Sequence, residues 1–417
     1  MKNKIKVLWF SINSSLYTSL DGVKAGHGGW IGSLEHIIRE HDDIQLAIAF
    51  EHKDGCFKSE QNGITYYPMQ TINSKMKSLM RHYDVMEEEK QVIPACLKVI
   101  EDYKPDVIHI FGSEWCFGLL KQYTKIPIVI HIQGSIPPYL NSSLPPGISC
   151  HSILKSYGWN VKKKIGYYIS SRNQKIRKQR EEKILSLVNN FMGRTEWDYN
   201  LVKLFNPTAK YFFCNEALNP IYVNSRVHWH PKQRDTLILL TVGAHFLKGI
   251  DVVYKTAELL DAHWAKSFEW HIIGDPYHDS KVVENMLGVS AESLNIKYLG
   301  YMSPEKIKKE LLECDFYVHP AYAENSPNSI CEAQMMGVPV IASYCGGIPS
   351  LVSHRESGFL YPVNDPYSLC SAIMQLKNDQ QLQVYISKNE MQKAATRHDP
   401  QAIYDNLLEI YKQLIKR

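Results

Sequence analysis

Residues 319–352 have the sequence HPAYAENSPNSICEAQMMGVPVIASYCGGIPSLV, and this stretch predicts one complete strand–loop–helix–strand unit. Ser326 is a favourable N-cap and Pro327 a favourable first helical residue, so we expect the helix to begin there. Gly337 suits a left-handed cap at the helix end, and Pro339 leads into the next strand. Strand, helix and strand in this order form the building block of a parallel sheet.

Two carboxylates flank the predicted start of this helix. Glu324 lies in the loop and Glu332 lies on the helix, eight residues apart. Between them, the unpaired N–H groups of a helix N-terminus form an anion site. A ligand with hydroxyl groups and a diphosphate would use all three features, because carboxylates accept from hydroxyls and the helix end holds phosphate. The alternative is that Glu324 is a solvated loop acid and Glu332 a surface helix residue.

The alternation of strand and helix extends over the whole chain. Near-continuous apolar strands separated by amphipathic stretches indicate parallel sheets covered on both faces, and hence an α/β protein of two doubly wound units. The polar stretch 219–235 is the expected division. The predicted strands are 5–11, 44–50, 106–111, 126–132, 189–193 and 211–214 in the first unit, and 236–242, 268–273, 296–299, 315–319, 339–342 and 358–361 in the second. Ligands bind beyond the carboxyl ends of such strands, so the expected site is the cleft between the units.

Length and composition narrow the class of protein. The chain has 417 residues, a net charge of +4, 44% hydrophobic and 22% charged residues, which excludes a disordered or fibrous chain. The weak positive charge does not argue for a nucleic-acid partner. The nine cysteines form no C-x-x-C pair, so we expect reduced thiols, no zinc site and a cytoplasmic protein. We also expect neither a signal peptide nor a membrane span, because no apolar run approaches about 18 residues.

Two glycine-containing loops follow predicted strands. In TVGAHFLKGIDVV (241–253), Lys248 stands between a strand and a helix, where its charge would neutralise phosphate. The alternative is an ordinary surface lysine. In GVKAGHGGWIGSL (22–34), Gly28 and Gly29 let the backbone approach a ligand. A plain turn explains these two glycines equally well.

His131 ends a buried strand in VIHIQGS, residues 129–135. A neighbouring diphosphate would favour its protonated form. The alternative is a core histidine with satisfied hydrogen bonds.

Together these motifs resemble a family 4 glycosyltransferase, a retaining enzyme with the GT-B fold of two Rossmann-like domains. The resemblance rests on ENSPNSICEA (324–333), GVPVIASYCGGIPSLV (337–352), GAHFLKG (243–249), IIGD (272–275) and YLGYMSPEKI (298–307), and in the first half on the Gly28–Gly29 loop, PDVIHIFG (105–112) and His131. It implies a first domain at 1–222 on the acceptor side, a nucleotide-sugar domain at 223–395 facing it across a cleft, and a C-terminal helix at 396–417 that crosses back to the first domain.

The resemblance also implies roles for residues of the second domain. Glu332 would hydrogen-bond the ribose hydroxyls of a nucleotide-sugar, and Glu324 would contact hydroxyls of the transferred sugar. The amides of Asn328 and Ser329 would hold the distal phosphate, with Lys248 as its counter-charge.

Three further contacts are implied. The backbone at Tyr301 and Met302 would edge the base, and His131 would face the sugar or its phosphate. The Gly28–Gly29 loop would close over the diphosphate from the other domain.

The chain departs from the family pattern at two places. Members often have an arginine shortly before the lysine, where this chain has Ala244 and His245, and Arg194 is a candidate substitute. Asn325 and Pro327 stand where relatives often have glycine. Because proline donates no N–H, one phosphate contact would be missing or supplied by Ser326.

The predicted function is retaining transfer of a sugar from a nucleotide-diphosphate-sugar to a hydroxyl of a glycan or lipid-linked acceptor. Glu324, His131 and Lys248 are the candidate catalytic residues. No D-x-D motif stands at a strand end, so we expect neither a cofactor nor a required metal. The alternatives are a nucleotide-sugar epimerase on the same fold and a non-catalytic sugar-nucleotide-binding subunit.

Residues 155–183 form a basic, aromatic stretch with ten basic and two acidic residues. This composition favours peripheral contact with an anionic membrane surface and a lipid-linked acceptor. The alternative is a solvated helix face. The basic residues are Lys155, Lys162, Lys163, Lys164, Arg172, Lys175, Arg177, Lys178, Arg180 and Lys183.

Overall fold

The computed structural model describes residues 4–19, 28–53, 57–72, 74–264, 266–276 and 278–416. Its strands are β1 (Ile5–Phe10), β2 (Ile44–Glu51), β3 (Ser59–Gln61), β4 (Ile64–Met69), β5 (Val107–Phe111), β6 (Ile128–His131), β7 (Asn190–Gly193), β8 (Lys210–Phe213), β9 (Leu237–Val242), β10 (Phe268–Ile273), β11 (Ile296–Tyr298), β12 (Phe316–His319), β13 (Val340–Ser343) and β14 (Phe359–Tyr361). All twelve predicted strands are confirmed to within two residues at each end.

Helices connect these strands throughout. They are α1 (Gly29–Arg39), α2 (Lys75–Tyr83), α3 (Met86–Tyr103), α4 (Ile136–Asn141), α5 (Cys150–Ser156), α6 (Val161–Leu187), α7 (Glu196–Phe205), α8 (Pro220–Val223), α9 (Ile250–His263), α10 (His278–Leu287), α11 (Pro304–Glu313), α12 (Asn328–Met336), α13 (Pro366–Asn378), α14 (Gln380–Arg397) and α15 (Pro400–Ile415). Short 3₁₀ turns occur at Cys116–Gln122, Phe246–Lys248, Glu292–Leu294 and Ile348–Ser350.

The chain forms two compact units. Unit 1 comprises the described residues of Met1–Pro137, Ile165–Ala217 and His398–Arg417, and unit 2 those of Pro138–Lys164 and Leu218–Arg397. The predicted domains 1–222 and 223–395 differ from this division mainly at 138–164, which belongs to unit 2. The physical reason is that α5, within this segment, packs against α10 of unit 2.

Unit 1 has a sheet in the order β3-β4-β2-β1-β5-β6-β7-β8, parallel except for the β3–β4 pair. Sequence reasoning missed both strands of that pair, because β3 is short and polar and β4 contains Pro68, which argues against a strand. Helix α15 buries the apolar face formed by Ile403, Leu407, Leu408, Ile410, Tyr411 and Leu414. Its Tyr411 hydroxyl lies 3.1 Å from Trp9 Nε1 and 2.7 Å from His109 Nδ1, so α15 is part of the unit 1 core.

Unit 2 has a fully parallel sheet in the order β11-β10-β9-β12-β13-β14. The loops after β9, β11 and β12 therefore emerge at one edge of this sheet, the carboxyl edge. Within the described ranges, every helix is too short or too polar to span a bilayer. The described cysteines are free, and all except Cys150 are buried.

Candidate active site

The turn Phe246–Lys248, called here the Lys248 turn, follows β9 at the carboxyl edge of unit 2. Gly249 comes next with a φ of 76° and caps the start of α9. A side chain at position 249 would place its Cβ 1.9 Å from the carbonyl oxygen of Pro320. Only glycine therefore lets the turn lie this close to the segment that follows β12.

Glu324 is held in place through its backbone. Gly346 has a φ of 51°, and a Cβ there would lie 1.8 Å from the Glu324 carbonyl oxygen. The N–H of Gly347 donates to the same oxygen at 2.9 Å. The glycine pair after β13 thus fixes the loop that carries the carboxylate.

Lys248 and Glu324 form an ion pair with each other. Their side chains are 23% and 12% exposed, so the pair is largely shielded from solvent without being fully buried. We expect Lys248 to bind the phosphate of a donor and Glu324 to bind its sugar. In the structure the two side chains contact each other directly.

The helix that begins beside Glu324 is α12, and its first residue is Asn328. The predicted N-cap, Ser326, is wrong by one position, because Pro327 has an extended ψ of 118° and is itself the cap. The missing N–H of Pro327 therefore lies outside the helix. Asn328 and Ser329 stand in the first turn, where the N–H groups have no intrahelical acceptor. Gly337 ends the helix with a φ of 76°, as predicted.

Glu332 lies on α12 against Tyr222 of α8. Burial raises the pKa of the Glu332 carboxyl to about 8, and a hydrogen bond with the Tyr222 hydroxyl opposes this rise. Tyr222 is 1% exposed and belongs to the core of unit 2. Sequence reasoning missed Tyr222, because it treated 219–235 as a polar boundary. The apolar run IYV beside Pro220 was the available signal.

Tyr301 and Met302 follow β11 at the same edge of the sheet. The Gly300 carbonyl accepts a hydrogen bond of 2.9 Å from the Gly274 N–H, which ties the loop after β11 to the loop after β10. Tyr301 is 73% exposed, whereas Met302 packs on the core. The predicted base-binding segment is thus a surface loop anchored at its start.

In unit 1, Gly28 and Gly29 begin α1, with φ values of 63° and 56°. A Cβ at Gly28 would lie 2.8 Å from the Ser15 carbonyl oxygen, whereas a Cβ at Gly29 would meet no atom within 4 Å among the residues that the structure describes. Residues 22–27 of the predicted loop lie outside the described residues. The two glycines help to line a cavity of about 370 Å³, together with Ile12, Asn13, Ser14, Ser15, Glu51 and His52.

His131 ends β6 and is fully buried. Its ring lies 4.8 Å from the Trp30 ring and 5.5 Å from the His109 ring, and neither ring nitrogen has a hydrogen-bond partner among the described residues. Burial, followed by the nearby His109 and Arg194, holds the pKa of His131 well below its usual value. The predicted protonated form would therefore require the added charge of a ligand.

Arg194 follows β7, and its side chain is 3% exposed. The guanidinium lies 3.8 Å from the Glu216 carboxylate, donates to the carbonyls of Ile132 and Gln133, and covers the Trp30 ring at 5.0 Å. These contacts hold one Nη of the guanidinium within unit 1, whereas Nε has no hydrogen-bond partner among the described residues. The role of Arg194 as a substitute for the missing loop arginine stays a prediction.

Two buried carboxyl groups near the end of β5 were also missed. Glu181 of α6 accepts from Ser113 Oγ at 2.7 Å and from the Ile136 N–H at 2.8 Å. Burial and the nearby Glu114 raise the pKa of Glu181 to about 7, and burial raises that of Glu114. The sequence presented Glu181 only as one of two acids in a basic stretch, and no local pattern marked it as buried.

Residues 228–393 match the family model "Glycosyl transferases group 1". Lys248, Glu324, the first turn of α12 and Glu332 all fall inside this range. The part of the chain that matches the family is therefore the part that carries the unit 2 site.

Curated relatives match about half of the chain. The amylovoran biosynthesis glycosyltransferase AmsK of Erwinia amylovora is 25% identical over 229 residues, which are 52% of this chain and 54% of that protein. The N,N'-diacetylbacillosaminyl-diphospho-undecaprenol alpha-1,3-N-acetylgalactosaminyltransferase of Campylobacter jejuni is 27% identical over 231 residues, 54% of this chain and 57% of that protein. The chain thus spans about half the length of these relatives. None of these names is that of an epimerase, so the epimerase alternative finds no support.

Solved structures match along nearly the whole chain at low identity. Sucrose-phosphate synthase from Thermosynechococcus elongatus superposes with a TM-score of 0.71 at 15% identity, covering 99% of this chain and 100% of that one. Anabaena Alr3699/HepE in complex with UDP and glucose superposes with a TM-score of 0.63 at 16% identity, covering 98% and 99%. These likenesses show the GT-B fold of two Rossmann-like domains, and the second of these domains carries the match to the group 1 glycosyltransferase model.

Proposed function

We propose that this protein transfers a sugar from a nucleotide-diphosphate-sugar to a hydroxyl of a glycan or lipid-linked acceptor, in the cytoplasm and with retention of the donor anomer. The observation that carries the proposal is the gathering of Lys248, Glu324, the first turn of α12 and Glu332 at one edge of unit 2. The N–H groups of a helix N-terminus lie there between the Glu324 carboxylate and the Glu332 carboxyl, an arrangement that suits a hydroxyl-bearing diphosphate.

When a donor binds, its diphosphate would replace Glu324 as the partner of Lys248. A bound diphosphate carries more negative charge than one carboxylate, so it competes for Lys248 while the amides of Asn328 and Ser329 hold it from the helix side. Glu324 is then released to accept hydrogen bonds from the transferred sugar. Donor binding and exposure of the sugar-binding carboxylate are thereby coupled in one step.

Sugar transfer breaks the sugar–phosphate bond while an acceptor hydroxyl attacks. Negative charge grows on the leaving diphosphate, and Lys248 with the α12 N-terminus stabilises it. Such a preorganised contact contributes ~3 kcal/mol to transition-state stabilisation. We propose front-face attack, in which the departing phosphate oxygen takes the acceptor's proton, as the route to retention.

Names of relatives support the class of substrates. The Campylobacter relative is named for a diphospho-undecaprenol acceptor, and one HepE structure is a complex with UDP-glucose. We propose a nucleoside diphosphate sugar as donor and, as acceptor, a saccharide on a lipid carrier or a growing glycan.

Membrane contact is proposed at a different surface from the predicted stretch 155–183. That stretch is divided between the units at Lys164 and Ile165. Arg180 is buried in an ion pair with Glu88 at 2.9 Å, so the ten basic residues do not share one exposed face.

Helix α2 provides the better surface. Met76, Leu79, Met80 and Tyr83 recur at helical spacing and are 45–66% exposed, and no residue of α2 is buried. Residues 165–176 of α6 lie beside it, since Asn173 donates to the His82 carbonyl at 3.0 Å. Neither α2 nor 165–176 contains an acidic residue, and their exposed basic residues are Lys75, Lys77, Arg172 and Lys175. We name these two segments the α2 surface and propose that it rests on an anionic lipid bilayer.

The proposed activity is tested by incubating the protein with a panel of nucleotide-sugars and acceptors and detecting glycosylated product. Thermal shift with the same panel reports donor binding, because a ligand that binds only the folded protein raises its apparent stability. Binding of a nucleotide-sugar without turnover on any acceptor would favour the non-catalytic subunit. Binding of none would contradict the site assignment.

A further inference from the structure

The segment 138–164 is inserted between two parts of unit 1. The chain on both sides of it belongs to unit 1, yet the segment belongs to unit 2. At the start of α10, the Tyr157 ring of this segment stacks on the His278 imidazole with centroids 4.5 Å apart and planes 29° apart. Ser156 Oγ also lies 2.8 Å from His278 Nε2.

The direction of this last hydrogen bond follows from the single proton of a hydroxyl. Ser156 Oγ donates to the Ile153 carbonyl at 2.6 Å. It therefore accepts from His278, whose Nε2 carries the proton. His278 is thus held by a directed hydrogen bond at its edge and by an aromatic ring on its face.

The residue after His278 contacts the proposed donor site. Asp279 Oδ2 accepts a hydrogen bond of 2.9 Å from the N–H of Phe246, the first residue of the Lys248 turn. The turn has a second tie, from the Tyr322 N–H to the Leu247 carbonyl at 2.9 Å. Asp279 thereby fixes the orientation of the turn from the α10 side.

An acid in the first turn of a helix commonly stabilises the helix itself. Here the carboxylate also reaches a backbone N–H outside the helix, at the start of the turn that carries the phosphate-binding lysine. An acid that only stabilised the helix would not need this contact. Removing Asp279 should therefore disturb the Lys248 turn only if the residue also orients that turn.

We propose that Asp279 is a positioning residue for Lys248, and that the segment containing Ser156 and Tyr157 stabilises it through His278. Binding of the diphosphate would then depend on a segment inserted between two parts of unit 1. The inference rests on the proposed function, in which Lys248 binds the diphosphate of the donor.

The test compares Asp279→Ala, Asp279→Asn and the pair Ser156→Ala/Tyr157→Ala with Lys248→Ala. Asp261→Ala on the exposed end of α9 is the matched control. UDP, ADP and GDP are titrated calorimetrically, and hydrogen exchange of the Phe246 amide is followed without ligand. We expect Asp279→Ala to weaken nucleoside diphosphate binding ~10-fold, the effect of one lost hydrogen bond of typical strength. Its Phe246 amide should exchange faster.

The remaining variants separate positioning from folding. Asp279→Asn keeps an acceptor oxygen, so it should retain most of the Phe246 protection and most of the affinity. Ser156→Ala/Tyr157→Ala should give a smaller change in the same direction, and the control should resemble wild type. Unchanged exchange of Phe246 in Asp279→Ala would overturn the inference, whatever the affinities. If neither wild type nor any variant binds a nucleotide, the proposed function fails, while the exchange measurement still decides the role of Asp279.

Discussion

The carboxyl edges of the two sheets are built in different ways. At the edge of unit 2, backbone contacts place the site: Gly249 lies against Pro320, Gly346 lies against Glu324, and α12 presents its first N–H groups. At the edge of unit 1, buried side chains bind one another, as in the pairing of Arg194 with Glu216. The first arrangement rests on backbone geometry. The second rests on buried side chains, and some of their polar atoms, such as both ring nitrogens of His131 and Nε of Arg194, have no hydrogen-bond partner among the described residues.

The largest difference in turnover and stability is expected when one cation at each sheet edge is replaced. Lys248→Ala should lower turnover about 100-fold, equivalent to ~3 kcal/mol of transition-state stabilisation, with little loss of thermal stability. Arg194→Ala should instead destabilise the fold by about 3 kcal/mol, because it removes the cation that is paired with the buried Glu216 carboxylate. Product assays and thermal unfolding of both variants measure the contrast. A stable Arg194→Ala protein with turnover as low as that of Lys248→Ala would restore Arg194 as a phosphate contact.

Two glycines test whether backbone contact places the unit 2 site. In Gly346→Ala the new Cβ would lie 1.8 Å from the Glu324 carbonyl oxygen, so the Glu324 loop must move and both activity and stability should fall. In Gly29→Ala the new Cβ meets no atom of the described residues within 4 Å, so the expected cost in stability is that of the positive φ, about 1–2 kcal/mol. Thermal unfolding and turnover are measured for both. Equal effects of the two substitutions would argue against the backbone mechanism.

The third largest effect is expected on membrane binding, when exposed apolar residues of the α2 surface are replaced. Leu79→Ser with Met80→Ser removes two exposed apolar side chains, and burial of each in the interface region would contribute about 1.5–3 kcal/mol. Co-sedimentation with anionic vesicles should therefore decrease at least tenfold, while turnover on a soluble acceptor stays unchanged. Binding of wild type should also decrease with salt, because exposed charges are screened beyond about 8 Å.

Leu204→Ser is the matched control, since Leu204 is 74% exposed on α7 of the same unit. Membrane binding should be retained in this variant. Equal binding of wild type to neutral vesicles, or an equal loss in the control, would refute the assignment.

Glu332 is expected to have a smaller effect, on the pH dependence of the protein's stability. Its folded pKa of about 8 lies above the usual 4.5, so the folded protein holds this proton more tightly than the unfolded chain. The associated stability is fully present below pH 4.5 and is lost as pH rises through about 8. Glu332→Gln has no proton to lose, so its melting temperature relative to wild type should increase between pH 5 and pH 9. A constant difference across this range would contradict the raised pKa.

The same contrast between backbone contacts and buried side chains explains which features could be predicted from the sequence. Gly337 marked the end of α12, and the lysine and glutamate motifs marked the unit 2 edge, because turns, caps and helix ends demand particular residue types. Glu181 and Tyr222 were missed, since an acid on a helix and a tyrosine in a polar stretch reveal nothing about burial until the chain is folded. The N-cap of α12 was misplaced by one residue because Pro327 is compatible with both the cap and the first helical position.

Removal of divalent metal ions is expected to have the smallest effect on turnover. A metal-dependent transferase would need carboxylates to hold an ion against the diphosphate, and Asp275 and Asp279 are the acids after β10 that could be considered. Asp279 already accepts from the Phe246 N–H, which leaves it poorly placed as a ligand. Lys248 and the α12 N-terminus offset diphosphate charge without a metal. Turnover should therefore persist in excess chelator at the level of untreated enzyme, measured with the donor in excess. Complete loss of turnover that manganese or magnesium restores would refute metal independence, and retention of that metal response in Asp279→Asn would then point to Asp275.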